Sequence, residues 1–506
     1  MAPKIVRAGS ALLLRCLAIG VLVLAAVAMQ ASNSRAANLT RGFEDDVWFN
    51  AGWRPWIPRI VHTGAKVVSL EIDWAHVEPK APPDANAASP SAGQYQFKYV
   101  DNVLKRFNGT GVQPVFLITD APRWAEGKGG TRTQYAEGGF EPNPAAFEQF
   151  ASALAARYSG KYRDPANRRH FLPKVLYFQA WGEANMGYHL SPQWTRVDGH
   201  LVNNGPIIYR SLLNAFYAGI KAGNPAAKVV FTGLEAYGDA AGGMRTPPVT
   251  FLRSVLCLNA RLAKEPCSDP AHFDVLASDP YEVGSPTTHA ISRNDASAPD
   301  LGRLTRVLKA AIAAQTVAPA TPKPLWVTEF SYDSDPPNPT PGTPSEDEQA
   351  HWLEESLYVF AHEGVSTVIW YLLHDQTGSF TTAYFSGVYF HNGRPKTSLT
   401  AYQFPFVVMR SAGSAQAWGI APSTGTVEVQ REVDGSWEKV FSFTCLSGGA
   451  FSRNMPLSAR GLYRAVEGGR VSLVWAYRTA TPRRRGGSGA PGITVGSAAS
   501  PAGRSG

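Results

Sequence analysis

The chain has 506 residues, 44% hydrophobic and 17% charged, which is enough to bury one large core beside a smaller domain and too apolar for a disordered chain. Its formal charge of +8 sits at the ends: Lys4, Arg7, Arg15 and Arg35 lie in residues 1–37, and Arg478, Arg483, Arg484, Arg485 and Arg504 in residues 478–506, with no acid in either segment. Residues 38–477 are thereby left at −1, which argues against a nucleic-acid-binding surface.

Residues 1–37 read as an export signal. Lys4 and Arg7 precede the apolar stretch "CLAIGVLVLAAVAM", and small residues follow in "SNSRAAN" where a peptidase can cut. The stretch is short for a membrane span and Arg15 bounds it, so no stable membrane insertion is expected after cleavage, and a secreted or envelope-associated protein is. Of the four cysteines, Cys16 leaves with the signal, Cys257 and Cys267 bracket "LNARLAKEP" and can close it with a disulfide, and Cys445 is left over. No Cys/His spacing resembles a zinc site, and neither a Walker loop nor a dinucleotide fingerprint is present, so no metal or cofactor is expected.

From Leu39 onward, short runs rich in Val, Ile, Phe and Trp alternate with stretches of helical period, as repeated strand–helix units do. The first strand, the weakest, lies near "NLTRGFEDD" and precedes a helix at "WIPRIVHTGA". Next come "KVVSLEIDW" with "FKYVDNVLKRFNGTG", "VQPVFLITD" with "AAFEQFASALAARYSG", and "KVLYFQAW" with "PIIYRSLLNAFYAGIKAG". The fifth and sixth pairs are "KVVFTGLEAY" with "VTFLRSVLCL" and "FDVLASDPY" with "LGRLTRVLKAAIAAQ". Strands "PLWVTEF" and "VSTVIWYLL", each followed by a helical segment, complete the run. Eight such units without a Gly-rich phosphate turn after the first strand predict a (β/α)8 TIM barrel over residues 38–410, not an open doubly wound sheet.

After Ser411 the pattern changes to "TVEVQREV", "WEKVFSFTCL", "GLYRAV" and "VSLVWAY", punctuated by "DG" and "GG". A small antiparallel β domain is predicted over residues 411–477, more suited to covering a barrel flank than to recognising a ligand. Residues 478–506, rich in Gly, Ser, Pro and Ala, read as a disordered basic tail.

Barrel enzymes carry their chemistry where the strands end. Glu183 ends strand four in "WGEAN", and Glu329 ends strand seven in "LWVTEF", each an acid where a buried apolar strand reaches the rim. Two carboxyls facing each other across such a mouth suit glycosidic bond hydrolysis with retention, which requires roughly 5 to 5.5 Å between them and opposite protonation states. Tyr177, Phe178 and Trp181 are expected to surround Glu183 and keep it protonated. Glu71 and Asp73 alternate with hydrophobics on strand two and are expected to share one face.

On these residues the chain resembles clan A retaining glycoside hydrolases, nearest to family 39 (β-xylosidase-like and exopolysaccharide endoglycosidase-like) and to family 5 cellulase-like proteins. The resemblance covers roughly residues 39–410. It implies that Glu183 is the acid/base and Glu329 the nucleophile. It also implies that Tyr281 in "SDPYEV" orients the nucleophile and that Trp370 in "VIWYLL" forms a platform under the sugar. Two positions depart from the pattern: Gly182 stands where the clan has an asparagine, and "KVVSLEIDWAHVE" lacks the strand-two arginine. Asn185, Trp74, Trp124 and His189, at or past strand ends, are further candidate substrate contacts.

The resemblance implies an exported retaining O-glycoside hydrolase with a carbohydrate substrate, cleaving a poly- or oligosaccharide by double displacement. Alternatives are a catalytically weakened carbohydrate-binding barrel and a transglycosidase using the same two glutamates.

Overall fold

The computed structural model describes residues 38–82, 88–128, 137–379, 381–411 and 413–477. The export signal and the basic tail lie outside them. Among the described residues no helix is long and apolar enough to cross a membrane.

Eight parallel strands form the central sheet: β1 (Thr40–Glu44), β2 (Val67–Asp73), β3 (Gln113–Thr119), β4 (Tyr177–Ala180), β5 (Lys228–Val230), β6 (Leu276–Ser278), β7 (Leu325–Phe330) and β8 (Val365–Tyr371). Their spatial order is β5-β4-β3-β2-β1-β8-β7-β6. Parallel bridges Val230–Val275 and Glu235–Asp279 join the two outer strands, and the N–H of Phe231 donates to the Val275 carbonyl at 2.9 Å, so the sheet closes into a barrel. Helices α1 (Trp56–Thr63), α2 (Lys98–Arg106), α3 (Pro144–Arg157), α4 (Gly205–Gly223), α5 (Pro248–Val255), α6 (Gly302–Ala314), α7 (Glu346–His362) and α8 (Thr397–Gln403) follow the strands in turn.

The two-residue period of a strand sorts its side chains between two environments. On β2, Val68, Leu70 and Ile72 join the large core between sheet and helices, while Val67 points into the barrel. Inside, Val67, Val115, Val230, Val275, Ala277, Trp326 and Ile369 fill the lower barrel as one apolar cluster. Polar residues continue the same rows upward: Ser69, Glu71 and Asp73 above Val67, and Thr328 above Trp326. A packed floor thus lies beneath a mouth lined with acids.

The C-terminal region builds two antiparallel sheets. One contains β9 (Phe406–Ser411), β10 (Ser414–Ile420) and β13 (Ala450–Met455); the other centres on β11 (Gly425–Val433), β12 (Ser436–Cys445) and β14 (Gly461–Glu467). Phe406, Val408, Ala415, Ala417, Val427, Val429 and Phe441 form the core between the sheets. Val407, Trp418 and Ile420, on the other face of the first sheet, belong to the barrel's core. Trp418 meets Tyr358 of α7 edge-on with ring centroids 5.9 Å apart, and the Phe406 N–H donates to Glu354 Oε1 at 3.2 Å. This β unit therefore covers a flank of the barrel. Cys257 and Cys267 form a disulfide, and Cys445 is free.

Candidate active site

Glu183 is placed by a strained turn. Trp181 and Glu183 both adopt positive φ, +76° and +36°, which costs non-glycine residues about 1–3 kcal/mol each and persists only where the surroundings enforce it. The enforcement is visible. Trp181 is buried against Phe147 with its indole N–H on the His189 carbonyl at 2.8 Å, and the Ala184 N–H donates to Thr232 Oγ1 at 3.0 Å. The turn leaves the Glu183 side chain 18% exposed at the mouth, with Oε2 3.4 Å from His189 Nε2.

Glu329 reaches the mouth through a bulge. Val327 pairs with Val368 and Phe330 with Trp370, so three residues of β7 span two of β8. In a regular strand Glu329 would share the outward face of Val327; the extra residue turns it inward and returns Phe330 to the outer core. Tyr281, in the loop just after β6, donates its hydroxyl to Glu329 Oε1 at 2.8 Å.

Burial pushes the Glu329 carboxyl up to about 8, the charge of Glu183 adds to the rise, and the Tyr281 hydroxyl opposes it. Glu329 thus holds its proton far above the ordinary carboxylate range until a hydrogen bond or a ligand favours its charged form. The His189 imidazole, although desolvation works against its charge, is raised by Glu183.

More acids share the mouth. Glu44 at the end of β1 and Asp279 after β6 are raised well above the carboxylate range, by burial first and then by Glu329. Glu71 accepts from Thr119 Oγ1 at 3.0 Å; Asp120, after β3, is pushed by burial to about 7. Glu235, after β5, is pushed by burial and by Glu183 to about 8. The strand-end rule that singles out Glu183 and Glu329 applies to each of these. Among the described residues no group of three or more His, Cys, Asp or Glu is arranged to hold a metal ion.

Other expected contacts stand elsewhere. Trp370 does not line the mouth. It is 2% exposed, in the outer core beside Phe330, with its indole N–H on the Ser386 carbonyl. Pleating puts its neighbour Tyr371 inside, opposite Glu44, where Glu329 and the edge-on Tyr384 (5.2 Å) act on it. Trp74 is likewise a core residue, buried against Phe147 and Phe150 and bonded to Glu78 Oε2 at 2.7 Å. Trp124 packs on Trp74 and donates to the Glu78 carbonyl at 3.0 Å.

Asn185 is fully buried and its amide is consumed by backbone groups of Glu235 and Thr246, so it joins two loops and touches no cleft. Phe178 and Trp181 face the helices, and Tyr177 lies low in the barrel against Trp326, so none of the three surrounds Glu183. His189 is at the site. Gly182 has room for a side chain: an added Cβ would meet nothing nearer than Thr119 Cγ2 at 3.7 Å.

No protein-family model matches the chain, and no curated protein matches it in sequence. Among solved structures, a family 39 glycoside hydrolase from the gut symbiont Bacteroides cellulosilyticus WH2 shares the fold. It superposes with a TM-score of 0.51 at 15% identity, over 83% of this chain and 81% of that one. A family 39 enzyme from Xanthomonas axonopodis pv. citri matches with a TM-score of 0.46 and 14% identity, over 83% of this chain and 92% of that one. The (β/α)8 barrel followed by an antiparallel β unit is therefore a fold shared with the Bacteroides cellulosilyticus family 39 glycoside hydrolase.

Proposed function

We propose that the chain is an exported retaining O-glycoside hydrolase that cleaves a poly- or oligosaccharide by double displacement. The observation that carries this reading is the pair itself: Glu183 in the turn after β4 and Glu329 near the end of β7 stand at the mouth of one closed barrel, where the charge of Glu183 acts on Glu329 and the Tyr281 hydroxyl donates to Glu329 Oε1. In the first step the Glu329 carboxylate bonds to the anomeric carbon while Glu183 gives its proton to the departing glycosidic oxygen. In the second, Glu183 takes a proton from water, whose oxygen bonds to the anomeric carbon as the bond to Glu329 breaks. These steps need Glu329 ionised, the form that the Tyr281 hydrogen bond favours. The strained turn at Glu183 and the bulge at Glu329 support it, since both re-aim a side chain into the mouth.

Export rests on the charged and apolar pattern of residues 1–37, and a disulfide between Cys257 and Cys267 fits an oxidising compartment. Hydrolysis of a panel of polysaccharides and glycosyl fluorides tests the reading. Glu329→Gln is expected to cut turnover on the order of a thousandfold or more while the circular dichroism stays unchanged. Glu183→Gln is expected to slow sugar leaving groups by about 10²–10⁴-fold and fluoride much less, because fluoride departs without a proton. Near-normal turnover in Glu329→Gln sinks the assignment, and sugar binding without hydrolysis by the wild type points to the binding barrel instead.

A further inference from the structure

A histidine faces the acids of the mouth from beside Glu183. His189 lies on the same loop, and its Nε2 stands 3.4 Å from Glu183 Oε2. The backbone fixes that spacing. The Glu183 carbonyl accepts from the Met186 N–H at 2.9 Å, and the Met186 carbonyl accepts from the His189 N–H at 3.1 Å, so two bonds close the loop that carries both side chains. The His189 carbonyl accepts the Trp181 indole N–H at 2.8 Å, so the side chain that anchors the strained turn at Glu183 anchors the histidine too. A neighbouring loop backs against the same carbonyl: a Cβ on Gly139 would lie 2.8 Å from its oxygen.

Carboxyls act on the ring from four elements: Glu183 from the turn after β4, Asp120 from the loop after β3, Glu71 from β2 and Glu329 from β7. Desolvation works against a charge on the imidazole, yet Glu183, Asp120 and Glu329 together raise it above the ordinary histidine value. The coupling is mutual. Burial first, and then the charge of Glu183, raise Glu329, and the imidazolium opposes them. A positive His189 and a negative Glu329 therefore favour each other, and an ionised Glu329 is what the first displacement step needs. The ring is also the more open of the two partners, 30% exposed against 18% for Glu183, so it is in reach of solvent while it meets the acid/base.

We propose that His189 is the proton relay of Glu183. The inference rests on the acid/base role of Glu183 and adds to the two displacement steps a group they do not use. In the first step the Glu183 O–H bond breaks as its proton goes to the departing oxygen, and the His189 Nε2–H bond breaks as that proton goes to Glu183 Oε2. The imidazole is left neutral, and Glu329, now bonded to the anomeric carbon, is neutral with it. In the second step Glu183 takes a proton from water and returns the one on Oε2 to Nε2, so the imidazolium and the Glu329 carboxylate reappear together. Neither at the start nor at the covalent intermediate do His189 and Glu329 leave an uncompensated charge between them in the desolvated mouth. A separation of 3.4 Å is long for a hydrogen bond and short enough to tighten when a glycan covers the site. His189 acts through Glu183: it is a positioning residue, not a sugar contact.

The test sets wild type beside His189→Gln and His189→Ala in the full chain. The substrates are trisaccharides of the xylo-, cello- and galacto- series and the glycosyl fluorides of the same sugars, whose fluoride departs without a proton. On the trisaccharide, kcat/KM is expected to fall about 10- to 100-fold in both variants, with kcat carrying the loss, and on the fluoride to stay within about threefold of wild type. Added imidazole is expected to raise trisaccharide turnover about fivefold or more in His189→Ala, where the space of the ring is open, and not in His189→Gln. Without any substrate, the His189 ring resonance, identified by its loss in His189→Gln, is expected to titrate at lower pH in Glu183→Gln than in wild type. Equal losses on both substrates with no effect of imidazole assign His189 to packing and overturn the relay. A raised trisaccharide KM at unchanged kcat makes it a sugar contact and overturns the relay too, as does a resonance that does not move. In each of those cases, fluoride turnover that is lost in Glu329→Gln leaves the glycosidase reading standing. Wild type inert on every substrate overturns that reading, and the relay with it.

Discussion

At Tyr281 a single hydroxyl sets the charge distribution of the pair. Its hydrogen bond to Glu329 Oε1 favours the ionised form of Glu329, against burial and the Glu183 charge. Tyr281→Phe removes a hydrogen bond to a charged group, worth about 1.5–3 kcal/mol, so kcat/KM is expected to fall roughly 10- to 100-fold. The same change lets Glu329 hold its proton more tightly. Glu329 attacks as the carboxylate, so in the wild type kcat/KM should rise as pH climbs toward about 8, and in Tyr281→Phe that limb should move to higher pH. A pH–rate profile flat to pH 10, or a limb that does not move in the variant, contradicts this. At this scale the sequence is readable for residue type and poor for direction. Trp370 and Tyr371 are adjacent and equally aromatic, yet one position in a pleated strand separates the outer core from the mouth. Glu329 has the opposite history: regular alternation turns it outward, and only the bulge, which has no signature in "LWVTEF", brings it in.

Among the elements, strands and helices of the barrel were legible because each strand is an apolar run closed by turn residues and each helix carries an apolar stripe. The C-terminal sheets were only partly legible. "FVVMRS" (406–411) follows α8 closely and was absorbed into the barrel, while β13, "AFSRNM", carries no clean alternation because Ser452, Arg453 and Asn454 form a polar run in its middle. "VSLVWAY" is not one strand but two short ones, Arg470–Val471 and Trp475–Tyr477. Closest approach between helices was also invisible. Gly219 and Gly223 of α4 face the backbone of α3, where a Cβ on Gly219 would lie 2.2 Å from the Glu148 carbonyl oxygen and one on Gly223 2.3 Å from that of Ser152. Helix propensity alone predicts that Gly219→Ala stabilises by about 1 kcal/mol. The contact predicts the reverse: a net loss of about 1–2 kcal/mol as the two helices are forced apart. Thermal melting of Gly219→Ala decides the sign, and a Tm at or above wild type would show that α3 yields without cost.

Across the whole molecule, burial of acids couples stability to pH in one direction. Burial raises Glu329 and Glu235 to about 8, Glu282 to about 9, and Glu78 and Glu354 to about 7. A carboxyl raised in the folded state binds its proton there more tightly than in the unfolded chain. Its protonated form therefore favours folding below the unfolded value near 4.5, and stability is lost as pH climbs from there to the folded value. His189, His351 and His374, raised by neighbouring acids, add loss of the same sign above about 6.5. Lys323, lowered by burial to about 8, works in the opposite sense, but only above that pH. The full chain should accordingly melt highest near pH 5 and lower at pH 9. Glu282 isolates the effect away from the catalytic pair: Tyr332 donates to its Oε1 at 2.6 Å, and its Oε2 has no partner among the described residues. Glu282→Gln keeps an acceptor for Tyr332 and cannot ionise, so it should match wild type at pH 5 and melt about 3 °C or more higher at pH 9. The limb of kcat/KM that Glu329 sets should stay where it is in that variant. A pH-independent difference in Tm would assign the effect of Glu282 to packing, and a shifted limb would tie it to the site.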